Sequence, residues 1–303
     1  MSEELDATLL NFGTGWIDDP IAVDAIISEN HVLQVSELIG PTDVFDRRII
    51  TDLTTYLKQA YGEKWYLNQG SCGSCVAFGA ALACDLLVAI EMIEHTMEKP
   101  TGRTDPMSIY WGSRVEIGGN RLWGQGSVGA WAAQWLKDYG VLIQANYPGC
   151  DLSTYSAAVC CGPNANRGVP NELESIARQH PVRDYAQCKT FEELTRAIES
   201  GYPVTIASNQ GFTRTRDGKG FARPSGRWGH QMVCVGVRHD IPGALIANSW
   251  GAYFSGGPED LSPACFWADD ATVGRMLKMG DSFALSNLQG WPRKRLSASS
   301  LNW

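Results

Sequence analysis

The chain has 303 residues, 44% of them apolar, and a formal net charge of −8. This is ordinary globular composition, and the length suits one large or two modest domains. The negative charge argues against nucleic acid as a partner, because a net negative field disfavours the phosphate backbone.

Nothing in the sequence suggests export, a membrane or a metal. The N-terminus, "MSEELDATLLNF", is acidic and lacks the basic flank and apolar core of a secretory signal. No apolar run is expected to reach the ~18–20 residues of a membrane span. The nine cysteines are too sparse for a disulfide scaffold, and their spacing fits no zinc site. We therefore expect a cytoplasmic protein with no cofactor and no membrane partner.

Helical periodicity dominates the first two-thirds of the chain. Residues 1–45 hold only short apolar clusters and are predicted to form an N-terminal arm. Apolar spacing, a capping box at Thr190 and Glu193, and terminal glycines predict four helices after the arm, over residues 47–62, 75–97, 129–140 and 190–201. The second of these is apolar on nearly every face at first, as expected for a helix buried at the centre of a domain.

Later segments read as strands. They are short, β-branched or alternating, and separated by Gly, Pro and Asp: residues 203–209, 230–240, 243–251 and 281–287. Helices first and strands later predict an α+β fold with two lobes and a cleft between them. We place the arm at 1–45, a helical lobe at 46–168, a β lobe at 169–290 and a C-terminal tail at 291–303.

The heptapeptide "QGSCGSC" (residues 69–75) stands immediately before the central helix. Two cysteines three residues apart could be metal ligands, a redox dithiol or a disulfide-bonded pair, or one of them could be a catalytic nucleophile. Cys75 lies where the helix begins, so free amides of the first turn and the helix dipole would stabilise its thiolate.

A nucleophilic thiolate also needs a base, and His230 is the best placed of five histidines. It opens a predicted strand, and Asn248 follows 18 positions later, after a turn through Pro242 and Gly243. The two side chains should therefore meet on neighbouring strands, where the asparagine oxygen can orient the imidazole. Trp250 would shield that hydrogen bond from water. The amide of Gln69 and the backbone N–H of Cys75 could then stabilise an oxyanion.

The stretches "QGSCGSCVAF" and "GHQMVCVGV…ALIANSWG" resemble the papain-like cysteine peptidases. The resemblance covers roughly residues 65–255, and "MSIYWGSRV" and "GQGSVGAWAAQWLKDYGVLIQANYP" are similar to segments of prokaryotic and viral relatives. It implies a central buried helix facing an antiparallel β-barrel-like lobe, and an endopeptidase acting on a peptide or protein substrate. It also implies roles for eight residues: nucleophile Cys75, general base and acid His230, orienter Asn248, oxyanion donor Gln69, and substrate-binding Gly126, Ser127, Gly229 and Trp250.

Several positions depart from the family pattern. Val76 stands where an aromatic residue is usual, and Gln231 stands where a small one is usual, which narrows the expected cleft. Gln125 replaces the cysteine that normally pairs with the first cysteine of the motif, so we expect Cys72 to lack a disulfide partner. No segment before Gln69 carries the helical signature of an inhibitory prodomain, so none is expected.

Two alternatives remain beside the peptidase. One is a papain-fold binding or structural protein, including a virion component held by other proteins of a larger assembly, with restricted or lost activity. The other is a thiol redox protein using Cys72 and Cys75, which would leave "NSWG" unexplained. The intact Cys, His, Asn and Gln favour the enzyme.

Overall fold

The computed structural model describes residues 12–39, 48–95 and 97–292. A π-helical turn (Ser113–Ile117) continues helix α5, and a 3-10 turn (Pro163–Asn166) follows α7. The α-helices in chain order are α1 (Pro20–Glu29), α2 (Val35–Leu38), α3 (Thr54–Tyr61), α4 (Cys75–Glu94), α5 (Pro106–Gly112), α6 (Gly129–Asp138), α7 (Ala157–Cys160), α8 (Asn171–Ala177), α9 (Phe191–Glu199) and α10 (Asp270–Leu277).

Most strands join one eight-stranded sheet. The strands are β1 (Leu33–Gln34), β2 (Ile50–Asp52), β3 (Asn146–Tyr147), β4 (Cys150–Asp151), β5 (Tyr185–Gln187), β6 (Val204–Arg216), β7 (Ala222–Arg238), β8 (Gly243–Ala247), β9 (Cys265–Asp269) and β10 (Ser282–Leu285). The large sheet has the order β1-β5-β10-β6-β7-β8-β9, with β2 also on β7, while β3 and β4 pair separately. Its β1–β5 pair is parallel, and the other pairs among the described strands are antiparallel. The predicted α+β architecture is thus confirmed.

Strands β6 and β7 are longer than predicted. They span 13 and 17 residues, because polar segments beyond each apolar run continue to pair. Ser208 faces His230 across this pair, and the register shifts immediately afterwards. A bulge that re-aims side chains therefore lies beside the predicted base.

The helix predicted over residues 47–62 is wrong in its first half. Ile50–Asp52 forms strand β2 on β7, and helix α3 begins only at Thr54. The Asp52 carboxylate accepts the backbone N–H of Thr54 at 2.8 Å, which marks the start of the helix. Pairing with a distant strand has overridden the local helical spacing. The helices predicted around 75–97, 129–140 and 190–201 are present, the last with its capping box at Thr190 and Glu193.

Helix α4 forms the centre of the molecule. All fifteen residues from Cys75 to Ala89 are buried. Its 20 residues are long and apolar enough to cross a membrane, which corrects the expectation that no run reaches that length. However, 78% of its most apolar window is buried inside the protein, against α3, α5 and β7. Its apolarity is accounted for by a core position.

One buried ion pair ties α4 to the loop before α5. The carboxylate of Asp85, 1% exposed, lies 2.6 Å from an Arg103 guanidinium nitrogen. Its other oxygen accepts the backbone N–H of Thr104 at 2.9 Å, and Arg103 also donates to the Trp65 carbonyl. Removing Asp85 leaves the partly buried Arg103 guanidinium without its counter-charge and the buried Thr104 N–H without an acceptor.

We predict that Asp85→Ala lowers the free energy of unfolding by about 3–5 kcal/mol, measured by urea denaturation. Asp24→Ala, the same change at an exposed position of helix α1, should change it by less than about 0.5 kcal/mol. Equal stability of the two variants would contradict a structural role for the ion pair.

Candidate active site

His230 and Asn248 meet as the sequence predicted. His230 lies in β7 and Asn248 directly follows β8, and His230 Nε2 is 2.8 Å from Asn248 Oδ1. That oxygen also accepts the backbone N–H of Ser249, which fixes the orientation of the amide. The imidazole must therefore donate from Nε2, so in the neutral ring Nδ1 is the acceptor. Nδ1 has no hydrogen-bond partner and is buried.

Trp250 covers this pair. Its ring centroid lies 4.6 Å from that of His230, and both side chains are almost completely buried. Burial outweighs the hydrogen bond to Asn248 and lowers the pKa of His230 to about 4. The ring is therefore neutral at physiological pH in this closed cleft.

Cys75 is the first residue of α4, and its side chain is fully buried. Burial raises the pKa of its thiol to about 11, although backbone N–H groups of Gln231, Gly15, Val76 and Trp16 act in the opposite direction. Gln231 directly follows His230, so the thiol lies next to the histidine strand. Cys75 and His230 are thus both held in their neutral forms by exclusion of water.

The expectation that Cys72 lacks a disulfide partner is wrong. Cys72 is bonded to Cys161, 89 residues further along the chain, with the two Cα atoms 5.8 Å apart. Gln125, which replaces the family's usual cysteine, instead accepts the backbone N–H of Gly73 at 2.7 Å. The loop before α4 is therefore held by both a covalent bond and a side-chain hydrogen bond. The disulfide also removes Cys72 from any dithiol with Cys75.

Gln69 is buried, and its amide is oriented by neighbours. Its oxygen accepts from the Ser249 hydroxyl at 2.6 Å. Its nitrogen therefore points the other way, donating to the carbonyls of Gly13 and Cys72, each at 2.9 Å. The Tyr155 hydroxyl, which donates to the Gln69 carbonyl at 2.8 Å, fixes the backbone of the same residue.

The carbonyl of Gly13 belongs to an extended stretch, residues 12–17, that crosses the site; we name it the cleft segment. Its backbone N–H groups at Gly15 and Trp16 donate to the Gly229 carbonyl at 3.1 and 3.0 Å. The backbone N–H of Ser127 donates to the Gly15 carbonyl at 2.8 Å, and the Ser127 carbonyl accepts the backbone N–H of Ile17 at 3.0 Å. The cleft segment is thus held through its backbone, with one parallel β-bridge between Trp16 and Ser127.

Two glycines allow the cleft segment to lie this close. A Cβ atom at Gly13 would stand 2.1 Å from the Cys72 carbonyl oxygen, and one at Gly15 would stand 1.9 Å from that of Gly73. Both contacts are with backbone, which cannot move aside like a flexible side chain. Any larger residue at these positions would push the cleft segment away from Cys75.

All four predicted substrate-binding residues contact the cleft segment. Ser127 and Gly229 pair with its backbone, and the Trp250 indole donates to the Gly13 carbonyl at 3.3 Å. Gly126 lies directly against the cleft segment, because a Cβ atom at this position would be only 2.8 Å from the Gly15 carbonyl oxygen. The sequence-predicted site residues are therefore gathered around one bound peptide stretch.

Three elements of this site were not predicted from the sequence. The cleft segment is one, and its sequence signal is the pair of glycines in "FGTGW". Gln231, expected only to narrow the cleft, donates its amide to the Val76 carbonyl at 3.0 Å and holds the first turn of α4 on β7. Asp281, which precedes β10, accepts the Trp16 indole N–H at 2.7 Å. Asp281 stands in no recognisable pattern, and Gln231 departs from the family pattern at its position.

No family model matches the sequence. A gut-specific cysteine proteinase of Caenorhabditis elegans is 24% identical over 217 residues, which are 66% of this chain and 64% of that protein. The chain thus spans less than two-thirds of the length of this curated relative.

Solved structures match the chain over more of its length than this relative does. Xylellain, a cysteine protease from Xylella fastidiosa, matches with a TM-score of 0.62 at 17% identity, over 91% of this chain and 97% of its own. Procathepsin B S9 from Trypanosoma congolense matches with 0.56 at 11% identity, over 92% and 87%. Digestive procathepsin L 3 of Tenebrio molitor matches with 0.53 at 15% identity, over 94% and 79%. The chain has the fold of the papain-like cysteine proteases.

Proposed function

We propose that this protein is a cysteine peptidase in which Cys75 is the nucleophile and His230 the general base and acid. Asn248 orients the imidazole and Gln69 stabilises the oxyanion. The observation that carries the proposal is the cleft segment itself. A stretch of peptide lies against the Cys75 thiol with one carbonyl held by the Gln69 amide, which is how a peptide substrate would have to bind.

The proposed reaction has two stages. The Cys75 thiol passes its proton to His230 Nδ1 as the sulfur attacks the substrate carbonyl carbon and a C–S bond forms. The Gln69 amide and the Cys75 backbone N–H receive the negative oxygen. Collapse breaks the C–N bond, and His230 gives its proton to the departing amine. Water, deprotonated by His230, then attacks the thioester and releases the acid and the free thiol.

The cleft segment supports a closed resting state in this proposal. It fills the place of the substrate, excludes water and leaves Cys75 and His230 neutral. The alternative of a papain-fold binding protein with lost activity is less well supported, because all four catalytic side chains are present. The cleft segment by itself accounts for the closed site, so the closed site is not a sign of lost activity.

We predict that displacing the cleft segment activates the Cys75 thiol. In the full chain carrying Gly13→Val and Gly15→Val, the clash with the backbone of Cys72 and Gly73 should expel the segment and rehydrate the thiol. The thiolate is the form that reacts, so a pKa of about 11 suppresses alkylation at neutral pH. The pH midpoint of Cys75 alkylation by iodoacetamide should fall to the ordinary value of about 8.5 or below.

At pH 7 the rate should rise at least tenfold over the unaltered chain, read at the Cys75 peptide by mass spectrometry. The control is Gly218→Val, where a Cβ meets nothing within 4 Å. It should behave as the unaltered chain. An unchanged midpoint in the double variant would show that the cleft segment does not govern the thiol.

We predict that a peptidyl thiol-directed irreversible inhibitor modifies the double variant at Cys75 alone. His230→Ala in that background should slow modification by roughly 100-fold or more, because the general base is lost. The matched control, His239→Ala, removes a half-exposed histidine that pairs with Glu199 outside the site, and should leave the rate unchanged. Adducts on other cysteines, or full reactivity without His230, would rule out the proposed site.

A further inference from the structure

A basic cluster lies on the hairpin formed by the end of strand β6 and the start of strand β7. Residues 209–229, which we name the basic hairpin, hold five basic residues and one acidic residue, a net charge of +4. The chain as a whole has a net charge of −8. Positive charge concentrated on one element of a negative protein creates a local potential that attracts anionic ligands. The cations are Arg214, Arg216, Lys219, Arg223 and Arg227.

Two charged side chains of the basic hairpin are used inside the protein, and three arginines are exposed. Arg216 is buried, and its guanidinium donates to backbone carbonyls of the loop after Tyr253. Asp217, the one acid, accepts backbone N–H groups within the turn at 2.9 Å. None of the ion pairs among the described residues includes the exposed arginines, which are Arg214, Arg223 and Arg227. Their guanidinium groups are therefore available to carboxylates from another molecule.

The basic hairpin adjoins one end of the cleft. Arg227 stands three residues before His230 in β7. Arg214 donates to the Tyr253 carbonyl at 2.9 Å, and its guanidinium carbon lies 5.4 Å from the centre of the Tyr253 ring. That ring packs against Phe12, the first residue of the cleft segment, with the two ring centroids 5.5 Å apart. A longer peptide in the cleft, extended beyond the position of Phe12, would therefore lie beside the basic hairpin.

We infer that the basic hairpin binds an acidic segment of the protein substrate, with Arg214, Arg223 and Arg227 pairing with its aspartate and glutamate side chains. A guanidinium can hold a carboxylate through two parallel N–H donors, so arginine suits this role better than lysine. One exposed pair is weak, but several cations on one element act together and also speed the encounter with an acidic chain. The inference rests on the proposed peptidase for its biological meaning, although the binding is measurable without hydrolysis.

The first test maps the contact on the unaltered full chain. Phenylglyoxal modifies exposed arginines, and the rate at each position is read by mass spectrometry. A millimolar peptide of alternating glutamate and glycine should slow modification of Arg214, Arg223 and Arg227 at least threefold at low salt, whereas its glutamine analogue should not. Exposed arginines elsewhere, Arg167 and Arg183, should react at the same rate with either peptide. Uniform protection, or none, would overturn the inference.

Two other occupants of the basic hairpin are distinguished in the same experiment. Residues 2–6 of this chain hold three acidic side chains, so a chain lacking them is compared. Faster modification of the three arginines in that chain, with no effect of added peptide, would assign the basic hairpin to the protein's own N-terminus and overturn the inference. Stronger protection by an oligothymidylate than by the glutamate peptide at physiological salt would overturn it in favour of nucleic acid.

The second test measures cleavage by the chain carrying Gly13→Val and Gly15→Val. Fluorogenic peptides share one core and carry a run of glutamates or of glutamines on one flank or the other. The glutamate run should raise kcat/KM at least fivefold on one flank alone, the flank that passes Tyr253, and the gain should disappear in high salt. Cleavage that is indifferent to the flanks would defeat the inference and leave the peptidase intact.

A matched pair of triple variants locates the effect. One removes the exposed cations of the basic hairpin and carries Arg214→Gln, Arg223→Gln and Arg227→Gln. The other makes the same change of net charge at exposed positions on other elements and carries Arg167→Gln, Arg178→Gln and Arg183→Gln. The first should abolish the gain from the glutamate run, and the second should keep it. Equal losses in the two would show a general effect of net charge and overturn the inference.

The same peptides are also titrated against the Gly13→Val, Gly15→Val chain carrying Cys75→Ala. Tighter binding of the glutamate peptide, with no turnover by the chain that keeps Cys75, would support the basic hairpin and refute the peptidase. Equal affinity for the glutamate and glutamine peptides would refute the basic hairpin. Because the comparison of peptides and salt needs no change in the basic hairpin, it remains decisive even if the first triple variant fails to fold.

Discussion

The hydrogen bond from the Gln231 amide to the Val76 carbonyl joins the start of helix α4 to strand β7. Gly79, one turn further along the helix, permits the approach, since a Cβ there would stand 3.3 Å from both the Gln231 amide and the Met232 carbonyl oxygen. Together with the wider packing of α4 on β7, this contact keeps the Cys75 end of the helix beside the strand that carries His230. The chemistry of the site follows from how closely a helix end and a sheet can pack.

The second consequence of that packing is the exclusion of water from Cys75 and His230. Trp250 lies on one side of His230, and the cleft segment covers Cys75 on the other. A thiolate and an imidazolium both need solvation or each other, so a site sealed from water favours the neutral pair. The closed state described here is therefore chemically quiet for a physical reason, since the Cys75 thiol and the His230 imidazole are both uncharged.

Much of the candidate site could be predicted because its side chains stand in two short motifs with defined local geometry. A helix start positions Cys75, and one strand, a turn and a returning strand bring Asn248 to His230. The disulfide of Cys72 was predicted wrongly because Cys161 lies 89 residues away, and no local rule connects them. The cleft segment was missed because it binds mainly through backbone groups, which every sequence possesses. Ile50–Asp52 was taken for helix because its partner strand lies far along the chain.

The cleft segment is tethered to the site that it covers, so a small number of contacts is enough to keep it bound. An intramolecular ligand on a short tether acts at an effective concentration on the order of millimolar, whatever the concentration of the protein. A handful of backbone hydrogen bonds and one indole can then keep the cleft occupied without high intrinsic affinity. A competing peptide in solution must overcome that local concentration. Cleavage of the chain after Ile17 would remove the tether, and the cleft segment could then dissociate into solution.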